Sequence, residues 1–85
     1  MSYEQRHKNR IEQAQADIKA ELLRAKTLFP TSFVNQHEAY AVILEELDEL
    51  WDEIKKNQKN YDIEAQRKEA VQLSAMVLRF IVELT

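Results

Sequence analysis

Apolar residues recur at intervals of three and four in three runs along the chain, and each run predicts an α-helix. In the first, Ile11, Ile18, Leu22, Ala25 and Phe29 form a thin stripe among charges, which predicts a helix over residues 3–28. Phe29-Pro30-Thr31-Ser32 ends it, because proline lacks the N–H a continuing helix needs and disfavours helical backbone at the residue before it. Asn35 then offers an N-cap with Glu38 as its capping-box partner, and Tyr40, Ile43, Leu47, Leu50 and Ile54 predict a second helix over 36–57. The polar run Lys56-Asn57-Gln58-Lys59-Asn60 closes that helix. Asn60 or Asp62 caps a third, over 62–84. No internal repeat or low-complexity tract interrupts the pattern, so the expectation is one all-α domain spanning residues 1–85.

The third helix is apolar on two sides. Leu73, Met76 and Phe80 make one stripe, while Val71, Ala75, Leu78 and Val82 make a second with heptad-like spacing. A helix that is apolar nearly all round has to be covered nearly all round. A chain of 85 residues buries only roughly 60 to 65% of its unfolded surface, so the second stripe is expected to meet another subunit in a homodimer or homotetramer. The competing reading is an over-apolar core helix. The oligomer is preferred because the chain is so small, and the expected architecture is a three-helix subunit in an oligomeric helix bundle.

Composition narrows the chemistry. With no cysteine, disulfides, thiolate metal sites and cysteine nucleophiles are excluded, in keeping with a reducing cytoplasm. With no glycine and one proline, neither a P-loop nor a dinucleotide fingerprint can form, so any phosphate has to be held by metal or side chains. The net charge of −3, with basic residues scattered among acids, argues against a nucleic-acid surface. MSYEQRHKNRIEQ contains no apolar signal region, and the run from Ala70 to Val82 is too short for a bilayer and includes Gln72 and Arg79. A soluble, cytoplasmic protein is expected.

Glu69 is the anomaly in this pattern, since it shares a helical face with Leu73, Met76 and Phe80. Desolvating a carboxylate costs several kcal/mol, so such an acid is neutral, paired or cation-bound. In the second helix, Glu46, Glu49 and Glu53 gather on one flank of the apolar stripe. Asp48 lies on the other flank, and Glu45 and Asp52 point away from the core. If the two helices pack antiparallel, Glu46, Glu49 and Glu69 address one point. Hard oxygen ligands without Cys or paired His suit Mg²⁺ or Mn²⁺. The alternative is a solvated acidic face with Glu69 paired to Arg24 or Lys26 of the first helix.

Glu45-Glu46-Leu47-Asp48-Glu49, followed by Glu69-Ala70-Val71-Gln72, resembles the EExxE and ExxD motifs of the MazG-like all-α nucleotide pyrophosphohydrolases. The likeness covers roughly residues 37 to 84. His37-Glu38-Ala39-Tyr40-Ala41-Val42-Ile43-Leu44 is similar to the lead-in of small phage and bacterial members, and the first helix contributes no motif. The resemblance implies that Glu46, Glu49 and Glu69 are ligands of Mg²⁺ or Mn²⁺, with Glu45 in the outer shell or orienting water. It further implies a nucleoside triphosphate substrate, cleaved between the α- and β-phosphates to a monophosphate and pyrophosphate. The divalent ion would neutralise phosphates and lower the pKa of bound water.

Gln72 departs from the motif, which has aspartate at that position. A neutral amide oxygen there removes one negative charge from the ligand set and weakens cation binding. Glu53 or a water is a candidate replacement. Lys55, Lys56, Lys59, Arg67 and Lys68 are available to phosphate, although each also reads as a solvated helix-end residue. His7 and His37 stand alone and receive no role, and Trp51 at the edge of the second stripe reads as core packing ahead of base stacking. Two rival functions remain: a non-catalytic helical interaction protein with the same fold, and a phosphoribosyl-ATP pyrophosphohydrolase-like enzyme, whose glycine-containing lead-in is missing here.

Overall fold

Each helix begins on a residue whose side chain accepts the backbone N–H groups left over at a helix start. Ser2 Oγ accepts from the Gln5 N–H at 3.1 Å, Asn35 Oδ1 from the Glu38 N–H at 2.9 Å, and Asp62 Oδ1 from the Glu64 and Ala65 N–H groups at 3.0 and 3.1 Å. Glu38 reaches back one residue further than a capping box requires, accepting from the Val34 N–H at 3.4 Å. The computed structural model describes residues 1–56, 59 and 61–85, and within them the chain is all-α. Helix α1 spans Tyr3–Leu28, α2 spans Gln36–Ile54 and α3 spans Ile63–Leu84.

Helix α2 stops three residues before the position expected from its polar flank. The Lys55 N–H still bonds the Trp51 carbonyl, but the Lys56 N–H takes the carbonyl of Glu53, three residues back, and this tightening ends the helix. Asn57, the expected last residue, and Asn60, the alternative cap of α3, lie outside the described residues.

Helix α3 is the middle member, packing on both α1 and α2, whereas α1 and α2 do not pack on one another. Asp17 pairs with Arg67 and Lys26 with Glu83, so α1 and α3 run in the same direction. The segment preceding α2 meets the end of α3 at Glu83, and Leu50 lies beside Gln66 and Ala70, so α2 runs the opposite way. This order explains why α3 is apolar on two sides: it has two neighbours within its own chain. Of the stripe Val71, Ala75, Leu78 and Val82 expected to meet another subunit, Ala75 is corrected, because it is spent inside the chain. Ala75 is fully buried within the chain, Val71 lines the groove towards α1, and Leu78 lines an apolar groove with Ile18. Of the four, only Val82 is exposed.

The core is small. Among the described residues Phe33, Ala39, Ala75 and Met76 are buried, with Ile18, Leu22, Ala25, Val42, Ile43, Phe80 and Leu84 packed against them. Two members of the expected α1 stripe, Ile11 and Phe29, are exposed. In α2 the helix is rotated from the expected register: Ala39, Val42, Ile43, Glu46 and Leu50 turn inward, while Tyr40, Leu47 and Ile54 face outward. Trp51 is 55% exposed, so it does not serve as core packing within the chain. Among the described residues, no helix is long and apolar enough to cross a membrane.

Candidate functional site

The middle of α2 faces the first half of α3, and there the helices bring three carboxylates together. One oxygen from each of Glu46, Glu49 and Glu69 lies within 4.8 Å of the other two. Glu46 and Glu49 are one turn apart and project from the same flank of α2. Glu69 meets them from the opposing helix, from the face that also carries the buried Met76. Glu46 and Glu69 are half-buried, Glu49 is exposed, and Glu45 is exposed on the outer side.

These acids lack the partners that usually accompany buried carboxylates. Glu46 Oε2 and Glu69 Oε2 are both shielded from solvent without a hydrogen-bond donor. The two cations of α1 offered as partners for Glu69 are committed elsewhere. Arg24 forms a fork on Glu21, with contacts of 2.9 and 2.6 Å, and Lys26 binds Glu83 at 2.9 Å. Lys68, adjacent in sequence, exerts only a favourable field on Glu69.

The cost appears in the protonation equilibria. Burial, reinforced by the charge of Glu49, a hydrogen bond shared with it, and the charges of Glu69 and Glu45, pushes Glu46 up to about 7. Burial and the neighbouring Glu49 likewise raise Glu69 above the ordinary carboxylate range. Like charges this close cannot all ionise without help, so the group holds protons near neutrality or gives them up to a cation.

The residues fit a small divalent ion in the chemistry of their donors. All the donors are carboxylate oxygens, which Mg²⁺ and Mn²⁺ prefer. Cis ligands about 2.1 Å from a common octahedral ion lie about 3 Å apart, so the three carboxylates, each with an oxygen within 4.8 Å of the other two, would draw together around one. Glu53 is half-buried and ion-paired to Lys56 at 2.9 Å, and it is not one of the three converging acids. Gln72 lies one turn beyond Glu69 and lines the groove between α1 and α3, with Glu21, Arg24, Glu64, Arg67, Lys68 and Val71. That groove encloses about 570 Å³. Arg67 crosses to Asp17 at 2.7 Å, pinning α1 to α3 at its edge.

A second cluster, at the far end of α3, escaped the sequence reading. Glu83 accepts the Phe33 backbone N–H at 2.7 Å, Lys26 at 2.9 Å and both oxygens from Arg79 Nε at 3.1 and 3.2 Å. Arg79 also donates to the Thr31 carbonyl at 2.7 Å, and its guanidinium lies 3.8 Å from the centre of the Phe33 ring. Burial opposes the charge on Glu83, but the donors outweigh it and hold the carboxyl at about 2. The available signal was the Arg79–Glu83 spacing of four on a helix. Of the histidines left without a role, His7 stacks on Tyr3 with ring centres 6.1 Å apart.

No family model, curated protein or solved structure matches this chain.

Proposed function

We propose that the protein is a divalent-metal-dependent nucleoside triphosphate pyrophosphohydrolase of the MazG-like type, acting through Glu46, Glu49 and Glu69. The observation that carries this reading is the convergence of three carboxylates from two helices, two of them with shielded oxygens that no protein donor satisfies. The motif resemblance contributes independently, since it selects the same three residues. A bound Mg²⁺ or Mn²⁺ would neutralise the triphosphate and make attacking water more acidic. The chain's own part is to hold the ligand carboxylates: α3 carries Glu69, and packing of α2 on α3 holds the half-buried Glu46. Exposed Glu45 faces solvent beside them and is the residue available to orient water. The α1–α3 groove is of ligand-binding size, and Lys68, which lines it, also exerts its field on Glu69. The bulk of a nucleotide would occupy that groove.

A panel of nucleoside triphosphates with Mg²⁺ or Mn²⁺, following monophosphate and pyrophosphate separately, tests the proposal. Turnover should appear, and Glu69→Gln should reduce it by at least about 100-fold. A panel without turnover would sink the enzyme reading. Gln72→Asp sharpens the assignment: Mg²⁺ should bind more tightly by calorimetry, and an unchanged isotherm would place Gln72 outside the metal's reach. The second reading, a non-catalytic helical interaction protein, draws on the apolar residues left exposed on α2, and it predicts metal binding without turnover.

A further inference from the structure

Helix α2 carries a second apolar row that the chain itself does not cover. Tyr40, Leu44, Leu47, Trp51 and Ile54 are each between 40% and 66% exposed, and they follow one another at spacings of four, three, four and three. At 1.5 Å per residue the row is about 21 Å long and straight. It is displaced from the inward positions Ala39, Val42, Ile43, Glu46 and Leu50 by roughly a quarter turn. Neither neighbour reaches it, because α3 packs on the inward face and α1 does not pack on α2 at all.

We infer that this row is the seam on which two copies of the chain pair, α2 against α2 and antiparallel about a two-fold axis through Leu47. Two properties of the row select a second copy over a different partner. The first is self-complementarity, which an isologous contact requires. Reversing the row about Leu47 sets Tyr40 opposite Ile54 and Leu44 opposite Trp51, so each aromatic meets an aliphatic and neither end is left with two large rings. The spacing is that of a coiled-coil seam, in which such residues interlock. The second is area. Side chains of this size at these exposures present roughly 500 Å² per chain, so full burial of the row in two copies gives roughly 1,000 Å² in total, the lower limit for a specific interface. The inference concerns assembly alone and stands whether or not the acids catalyse anything.

The test uses the full chain. Sedimentation equilibrium should give twice the chain mass of 10.1 kDa, and Leu47→Glu should give the chain mass while keeping its helical circular dichroism. Trp51 is the only tryptophan, so its emission should shift to longer wavelength on dilution. Because the chain has no cysteine, register can be read by oxidation. Leu47→Cys alone should form a covalent dimer, whereas Tyr40→Cys should do so only when mixed with Ile54→Cys. A monomer at all concentrations overturns the inference. So does a dimer that survives Leu47→Glu and is not cross-linked through Leu47→Cys.

Discussion

Glu83 and Glu46 are the same residue type in the same small bundle, and the protein treats them in opposite ways. Glu83 collects donors from α1, from the α1–α2 loop and from α3. Glu46 collects two more acids and has an oxygen with no donor. Burial disfavours the charged form of both. In one place the donors reverse it and the carboxyl falls to about 2; in the other nothing does, and the carboxyl rises to about 7. The first arrangement serves stability, tying a loop and a neighbouring helix to the end of α3. The second costs stability in the free protein, and a bound cation could return it. Local disagreement of this kind between charge and environment is where function is sought.

The largest effect that would test this contrast comes from Glu83→Ala. It strands Arg79, Lys26 and the Phe33 N–H together, and urea denaturation at pH 7 should show a loss of about 3 kcal/mol. Glu83→Gln, which keeps an acceptor for the Phe33 N–H, should recover about 1 kcal/mol of that. The opposite sign is expected across the molecule. Without divalent metal at pH 8, Glu46→Gln should stabilise the fold by about 1 to 2 kcal/mol, since it removes a disfavoured charge that solvent only partly screens. A loss on Glu46→Gln would mean that the cluster is satisfied as it stands.

The pH profile of the metal-free protein should carry both signatures. Glu46 and Glu69 have raised folded values, so the native state binds more protons than the unfolded one between about pH 4.5 and 7, and stability should rise as pH falls through that window. Glu83 has a lowered value, so its contribution is complete above about pH 4.5 and is lost as pH falls towards 2. A stability maximum between about pH 4 and 5 follows, and Glu46→Gln should flatten its alkaline side. The smallest effect is ion-linked. Millimolar Mg²⁺ or Mn²⁺ should raise the melting midpoint by a few degrees, more at pH 8 than at pH 6, with no shift in the Glu46→Gln, Glu69→Gln double variant. Equal shifts at both pH values would separate metal binding from the titration of these acids.

How much of this was legible in the sequence depends on the range of the interaction. The helix starts at Asn35 and Asp62 were readable because capping is settled within three residues. The meeting of Glu46, Glu49 and Glu69 was readable because a short connection makes α2 and α3 antiparallel neighbours and helical spacing does the rest. The orientation of α2 was not. Its apolar arc is wide enough for two faces, and hydropathy counts Leu47 above Glu46. Packing instead chose the face with small Ala39, fully buried against α3. The role of Glu83 was hidden for another reason: its partners Lys26 and Phe33 lie 57 and 50 positions away, beyond any local pattern.

The order of the helices has a kinetic consequence. Since α1 and α2 each lean only on α3, either flank can open without breaking the other's contacts, and the molecule has two separable opening motions in place of one. The first thirteen residues are exposed throughout, so amide hydrogens in the early turns of α1 should exchange soonest. Those of α3 near Ala75 and Met76 should exchange last, at the rate of global unfolding.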